Sequence, residues 1–293
     1  MRQAGINKPY FMKTSHFLTT LKLFAAVLLI GFAASCRKDN DNDTSSAKNE
    51  NQAEAYFNEL NNIADQVGKT GNVSALKLSE DAGTLLSECA VITIDTAANP
   101  SEATPNVYTI DFGTGCLGND GKTREGIIEI TATGPYLSTG TIITITPQGY
   151  KVNGNEVQGF RRVTNLGENA SGQPTFSVEV NGTILLANNG GTIQWNANRV
   201  RTWISGFDTP LLFLDDEYGL SGTSSGTRVN GTSWTSTINN QLLYRHSCRQ
   251  IVSGTMTLVP EGKPDRLIDF GDGTCDYSAS VTINGNTYTF SML

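Results

Sequence analysis

The sequence predicts a mainly β protein: antiparallel, hairpin-rich sheets with a short N-terminal helix, arranged as two related β-rich halves or as one elongated β-meander. Three observations carry this. Beyond Cys89, apolar residues alternate with polar ones. Asn-Gly preceded by Val or Ile recurs four times between strand-like runs. One unit occurs twice, from Cys89 to Cys116 and from Cys248 to Cys275, each copy containing Asp-Phe-Gly just before its second cysteine.

The first 35 residues read as an export signal. Arg2, Lys8, Lys13 and Lys22 carry positive charge without any acidic neighbour, and the apolar run Leu23–Ala34 follows. That run is short for a membrane span and suits a signal-peptide hydrophobic region. Translation starting at Met12 gives a more ordinary n-region. The run ends Ala33-Ala34-Ser35-Cys36, which resembles the lipobox of bacterial lipoproteins. The resemblance implies that Cys36 becomes a lipidated first residue, anchoring the protein to a membrane without a spanning helix. A plain secretory signal with an incidental cysteine is the alternative.

Residues 36–52 lack apolar periodicity and read as a disordered tether. A lysine followed by acidic residues directly after the cysteine resembles the surface-export signal of Bacteroidetes lipoproteins. Residues 53–67 then place Tyr56, Leu60, Ile63 and Val67 at helical spacing, with Phe57 and Ala64 beside them and Gly68 as the stop. This stripe is read as core. From 53 to 293 the chain forms a single β-rich domain with an internal duplication.

The period changes to two at the first Cys unit. Ala90, Ile92 and Ile94 alternate with polar or outward residues, as do Tyr108, Ile110 and Phe112, and then Ile128 and Ile130. This is the pattern of half-buried antiparallel strands. Asn153-Gly154, Asn181-Gly182, Asn230-Gly231 and Asn284-Gly285 predict four tight hairpins, because a type I′ turn needs positive φ at both central residues.

Besides Cys36, four cysteines remain in an exported chain, and an even count reads first as disulfides. The repeated spacing argues for Cys89–Cys116 and Cys248–Cys275. Crossed pairing between the copies is an alternative, and so is a metal site. Zinc is disfavoured by the absence of any CxxC and by a single mature histidine, His246.

Net charge is −7 for the whole chain. Loss of the four basic residues of the leader takes it to −11. Clustered Lys and Arg are needed to hold a phosphate backbone, so nucleic acid is not an expected partner.

One strand is chemically distinctive. Period two places Trp195, Arg199, Arg201 and Trp203 on one face. If open to solvent, this face suits sugars or anionic glycans. Its structural alternative is a cation–π ladder that stiffens an exposed sheet. Asp269, Asp272 and Asp276 crowd the second Asp-Phe-Gly unit, where oxygen-rich loops sometimes take Ca²⁺, but the pattern is not duplicated and reads better as a glycine-shaped turn. Asp215-Asp216-Glu217 reads as a solvated acidic loop. No GxSxG, HExxH or P-loop pattern occurs and no cofactor is implied.

The lipoprotein start, the doubled unit ending DFGTGC, the Trp195–Trp203 strand and the closing DFGDGTCDYSASVTINGNTYTF together resemble a family of uncharacterised Bacteroidetes cell-envelope lipoproteins. The resemblance implies an all-β body at the outer membrane, on the cell surface or its periplasmic face, and brings no activity. The functional expectation is a non-enzymatic adhesive, glycan-binding or scaffolding role, with a glycan or another envelope protein as partner. A polysaccharide hydrolase using paired carboxylates is the alternative.

Overall fold

The structure is a computed structural model that describes Met1, residues 41–70, Leu86, 89–228 and 231–292. One compact unit spans Asp41–Leu293. Apart from Met1, the expected leader lies outside the described residues, as do Cys36 and the start of the tether. Among the described residues no helix is long and apolar enough to cross a membrane.

Among the described residues one α-helix, α1 (Ser45–Thr70), precedes the strands. Then come β1 (Val91–Asp95), β2 (Asn106–Asp111), β3 (Cys116–Leu117), β4 (Thr123–Ala132), β5 (Ile142–Val152), β6 (Asn155–Glu168) and β7 (Pro174–Leu186). The second half of the sheet is β8 (Gly191–Ser205), β9 (Glu217–Thr227), β10 (Ser233–Arg245), β11 (Gln250–Pro260), β12 (Arg266–Asp272), β13 (Ser278–Ile283) and β14 (Asn286–Ser291). They form one 14-stranded antiparallel sheet in which sequence neighbours are spatial neighbours, with β3 pairing β4 just beyond β2. The chain is therefore one continuous meander, not two halves.

The sheet curls around α1. Side chains from β4, β5, β6, β8, β9 and β10 all bond to the helix. This explains why α1 is longer than its apolar stripe predicts. Leu60, Ile63 and Val67 of the stripe and Phe57 and Ala64 beside it are buried as expected, whereas Tyr56 is only partly buried; Glu50, Asn51, Glu54 and Asn58 are buried as well. Residues 41–52 thus belong to the folded body, and the reading of 41–52 as a disordered tether is corrected. Asp41 and Asp43 meet buried arginines and Glu50 meets buried indoles, in place of water.

Alternation within the strands places Tyr108, Ile110, Ile128 and Ile130 in the core. On β8, Trp195, Ala197, Arg199, Arg201 and Trp203 point inward, while Gln194, Asn196, Asn198 and Val200 point outward. Two of the Asn-Gly turns form as predicted. Asn153 and Gly154 have φ of 49° and 78° between β5 and β6, and Asn284 and Gly285 have 51° and 81° between β13 and β14. A third joins β9 to β10 between Arg228 and Thr232, although its Val229 and Asn230 lie outside the described residues.

The fourth does not turn. Asn181 and Gly182 sit mid-strand in β7, paired with Phe160 and Gly159 of β6. The reason is packing: a Cβ at Gly182 would lie 1.9 Å from the Phe57 ring. Here glycine makes room for the helix, and Phe57 stacks on neighbouring Trp195 with ring centroids 5.7 Å apart.

The doubled unit forms both expected disulfides, Cys89–Cys116 and Cys248–Cys275, with Cα atoms 5.6 and 5.5 Å apart. Each encloses one hairpin, β1–β2 or β11–β12. In each, Asp caps its own corner: Asp111 Oδ1 accepts from Gly113 N at 2.7 Å, and Asp269 Oδ1 from Gly271 N at 2.9 Å. Phe112 and Phe270 fill the core beneath. Each disulfide closes the open end of its own hairpin.

Candidate functional site

The chemistry of this chain is concentrated where the polar side of α1 meets the inner face of the sheet. Glu50 is the hub. Its Oε2 accepts the indole N–H of Trp195 at 2.9 Å and of Trp234 at 2.6 Å. Its Oε1 accepts from the Ser236 hydroxyl at 3.1 Å, from Ser224, and from Arg199 Nη2 at 3.3 Å. Arg199 Nη2 also reaches Glu54 Oε2 at 3.0 Å, so residues one helical turn apart share one guanidinium.

Further along, Asp65 takes Arg201 Nη2 at 2.5 Å and the Tyr136 hydroxyl at 2.8 Å. Arg201 also lies over the Tyr218 ring, 3.6 Å from its centroid. Burial opposes the charge on Arg201, but Asp65, Tyr136 and Tyr218 outweigh it and hold the guanidinium pKa well above its ordinary value. Burial also raises the phenol pKa of Tyr136 and Tyr218 well above normal. Among the described residues Arg161 has no carboxylate partner. It donates to Asn61, the Phe57 carbonyl and Asn58, and burial together with the charge of Arg201 draws its pKa down to about 10.

The third group centres on Glu59, which accepts from Lys122 at 2.6 Å, Arg124 Nε at 3.0 Å and the Tyr150 hydroxyl at 2.9 Å. Arg124 turns its remaining nitrogens to Asp120 in a bidentate pair at 2.9 and 2.7 Å. The start of the body is held similarly: Asp43 Oδ2 meets Arg228 at 2.7 Å and Lys263 at 3.0 Å, and Asp41 meets Arg266 at 2.5 Å.

This arrangement corrects the expected exposed Trp/Arg face. Trp195, Arg199, Arg201 and Trp203 do share a face, but they are 0, 4, 2 and 0 % exposed. Their physical partner is the helix: Arg199 lies 5.9 Å from the Trp195 ring centroid, yet its ion pairs to Glu50 and Glu54 and the indole bond to Glu50 define the site. Trp203 donates to Asp216 Oδ1 at 3.0 Å, and Tyr218 to Asp216 Oδ2 at 2.9 Å. Asp216 is consequently buried, unlike the solvated loop residue that its acidic neighbours imply. Glu217 instead pairs with Arg245 at 2.7 Å.

Sequence reasoning missed Glu50, Glu54, Glu59 and Asp65. The available signal was a set of acidic residues at helical intervals facing an inward Trp/Arg strand. It is weak, because the same spacing describes a solvated helix face.

Asp272 and Asp276 accept from their own turns, at Thr274 N and Ser278 N, and Asp269 does likewise at its corner. Among the described residues no group of three or more His, Cys, Asp or Glu side chains is placed to hold a metal ion.

Among the described residues two cavities larger than a single water border the helix. One, of about 120 Å³, is largely apolar, with Ala64, Tyr108, Ile130, Ile143 and Val163 in its wall. The other, of about 40 Å³, is polar and lies between α1, the β3–β4 turn and the start of β11. Asn58 and Asn62 of the helix, Asp120 and Lys122 of the turn, and Arg249 and Gln250 line it. Gln250 is 5 % exposed, and neither atom of its side-chain amide has a partner among the described residues.

No family model, curated protein or solved structure matches the chain.

Proposed function

We propose that this chain is a lipid-anchored envelope protein of the Bacteroidetes lipoprotein type, cleaved before Cys36 and acylated there. Its folded body serves as a non-enzymatic adhesive, glycan-binding or scaffolding module at the outer membrane. The observation that carries this reading is the clamp at the start of the body. Asp41 and Asp43 are bonded to Arg266, Arg228 and Lys263, and Asp41 lies five residues after Cys36. A fully extended link of that length spans at most about 17 Å. An acylated Cys36 would therefore hold the body close to the bilayer, with the end carrying the β9–β10 and β11–β12 turns nearest to it.

A binding role also accords with the use of the acidic residues. Glu50, Glu54, Glu59 and Asp65 are each bonded to Arg, Lys, Trp or Tyr partners inside the sheet. A hydrolase needs two carboxylates facing substrate across a cleft, and these four face their own fold.

Metabolic labelling with a fatty acid tests the anchor. Wild type should incorporate label and move with the membrane fraction, and Cys36→Ser should do neither. Incorporation that persists in Cys36→Ser would remove the lipoprotein reading.

A further inference from the structure

We propose that the apolar cavity beside Ala64 takes the uncharged end of an unbranched hydrocarbon chain, to a depth of about five carbons. The inference goes beyond the anchor and the binding-module reading, and it concerns a place on the inner face other than the Trp/Arg strand.

The wall comes from several elements. Ala64 of α1, Ile130 of β4, Ile143 and Ile145 of β5 and Val163 of β6 converge on the space. Pro100, Asn106, Gly134 and Pro135, which are half-buried or exposed, complete its lining toward solvent. Water-sized groups can occupy about 120 Å³ between them. A hydrocarbon needs contact with such a wall as a whole and no aimed donor or acceptor.

The polar groups of the wall are committed to one another. Asp65 accepts from Arg201 and from the Tyr136 hydroxyl, and Asn61 donates to Asp65 while accepting from Arg161. Water in a cavity needs two to four polar partners, so hydrocarbon fills this space better than water does. A charged group beside the Asp65–Arg201 pair would lose its hydration without gaining a counter-ion, so the inserted end is uncharged.

Volume sets the depth. A dry cavity of about 150 Å³ lined by Leu, Ile and Phe takes benzene. This one is about one-fifth smaller, too small for that ring but large enough for about five chain carbons. The rest of a longer molecule would lie past the half-exposed rim. Protein interiors hold few voids larger than a water, and an empty one is destabilising in proportion to its volume.

A molecule in solution is the expected source. Asp65 lies about 30 Å along α1 from Ser45, whose hydroxyl meets Arg228 at the clamp. Under the anchor reading the clamp end faces the bilayer, which leaves the cavity remote from bilayer tails.

Methyl NMR titration of the full-length protein carrying Cys36→Ser, which has no acyl chain of its own to compete, tests the proposal with 1-alkanols from propanol to decanol. Affinity should rise about fourfold per methylene to about pentanol or hexanol and then level off. The bound chain should give NOEs to the methyls of Ile143 and Val163. Ala64→Leu, which places three more carbons in the space, should weaken pentanol binding at least about tenfold. Ile143→Ala should move the plateau to longer alkanols. The proposal is overturned if no alkanol binds, if affinity climbs through decanol without levelling, if the NOEs come from other methyls, or if Ala64→Leu folds and binds as the parent does. Should Ala64→Leu fail to fold, an unmoved plateau in Ile143→Ala overturns it instead. Phosphatidylcholine vesicles should leave the Ile143 signals unmoved, and a shift like that caused by hexanol would overturn the solution source. The alkanol results do not depend on acylation of Cys36, so failure of the anchor and failure of the cavity are separable.

Discussion

Arg201 Nη2 donates to Asp65 Oδ2 at 2.5 Å, linking strand and helix residues 136 positions apart in sequence, with both side chains almost fully buried. The pair fastens the C-terminal half of α1 inside the sheet. Removing one partner leaves an uncompensated charge in the core, a change that typically costs about 3–5 kcal/mol. Asp65→Leu should lower stability by that amount in urea unfolding. The double variant Asp65→Leu/Arg201→Met should recover much of it. Additive losses in the two single variants would mean that the residues stabilise the fold independently.

The contact between Phe57 and Gly182 predicts a second coupled pair. A methyl group at position 182 would overlap the Phe57 ring, and overpacking of this kind costs about 1–3 kcal/mol or more. Gly182→Ala should therefore destabilise the protein strongly, and Phe57→Leu in the same chain should relieve part of the loss. If Gly182→Ala is neutral, the helix is not seated on β7 as described.

Each hairpin staple closes a loop of 27 residues. In the chain-entropy account such a crosslink is worth about 3.5 kcal/mol. Replacing Cys248 and Cys275 together by Ser should lower stability by roughly that amount, and peptide mapping of the variant should still recover the 89–116 linkage. A mixed linkage between the two units would contradict the independence of the staples.

The sheet is more legible in the sequence than its contents. Period-two alternation is local, so Ile128 and Ile130, or Trp195 through Trp203, reveal strand and face directly. The Asn-Gly rule works where the chain turns and fails at Asn181-Gly182, because a glycine needed for close approach looks like one needed for positive φ. The helix shows the opposite limit. Glu50 lies 145 residues from Trp195 and 184 from Trp234, and nothing near Glu50 in sequence distinguishes a residue bound for buried indoles from one bound for water. Polar composition accordingly suggests a tether where the fold has a buried turn of helix. The apolar cavity is still less visible, being assembled from α1, β2, β4, β5 and β6.

The clamp at the start of the body should be sensitive to acid. At Asp43 burial pushes the carboxyl pKa upward, but hydrogen bonds from Ser45 and contacts with Lys263 and Arg228 outweigh it, and the pKa lies well below the ordinary carboxylate range. Asp41, bonded to Arg266, and Asp120, bonded to Arg124, are also lowered against the effect of burial. A folded pKa below the unfolded one means that the folded state binds fewer protons. Its stabilising effect is fully present above the unfolded value, near 3.9, and is lost as pH falls toward the folded value. The urea midpoint should thus be nearly level from neutral pH to about pH 5 as far as these groups are concerned, and fall steeply below about pH 4. Asp43→Asn should lower the midpoint at neutral pH and flatten the acid limb, because the variant has one fewer proton to take up. Parallel acid limbs in wild type and variant would show that Asp43 does not couple the start of α1 to the sheet.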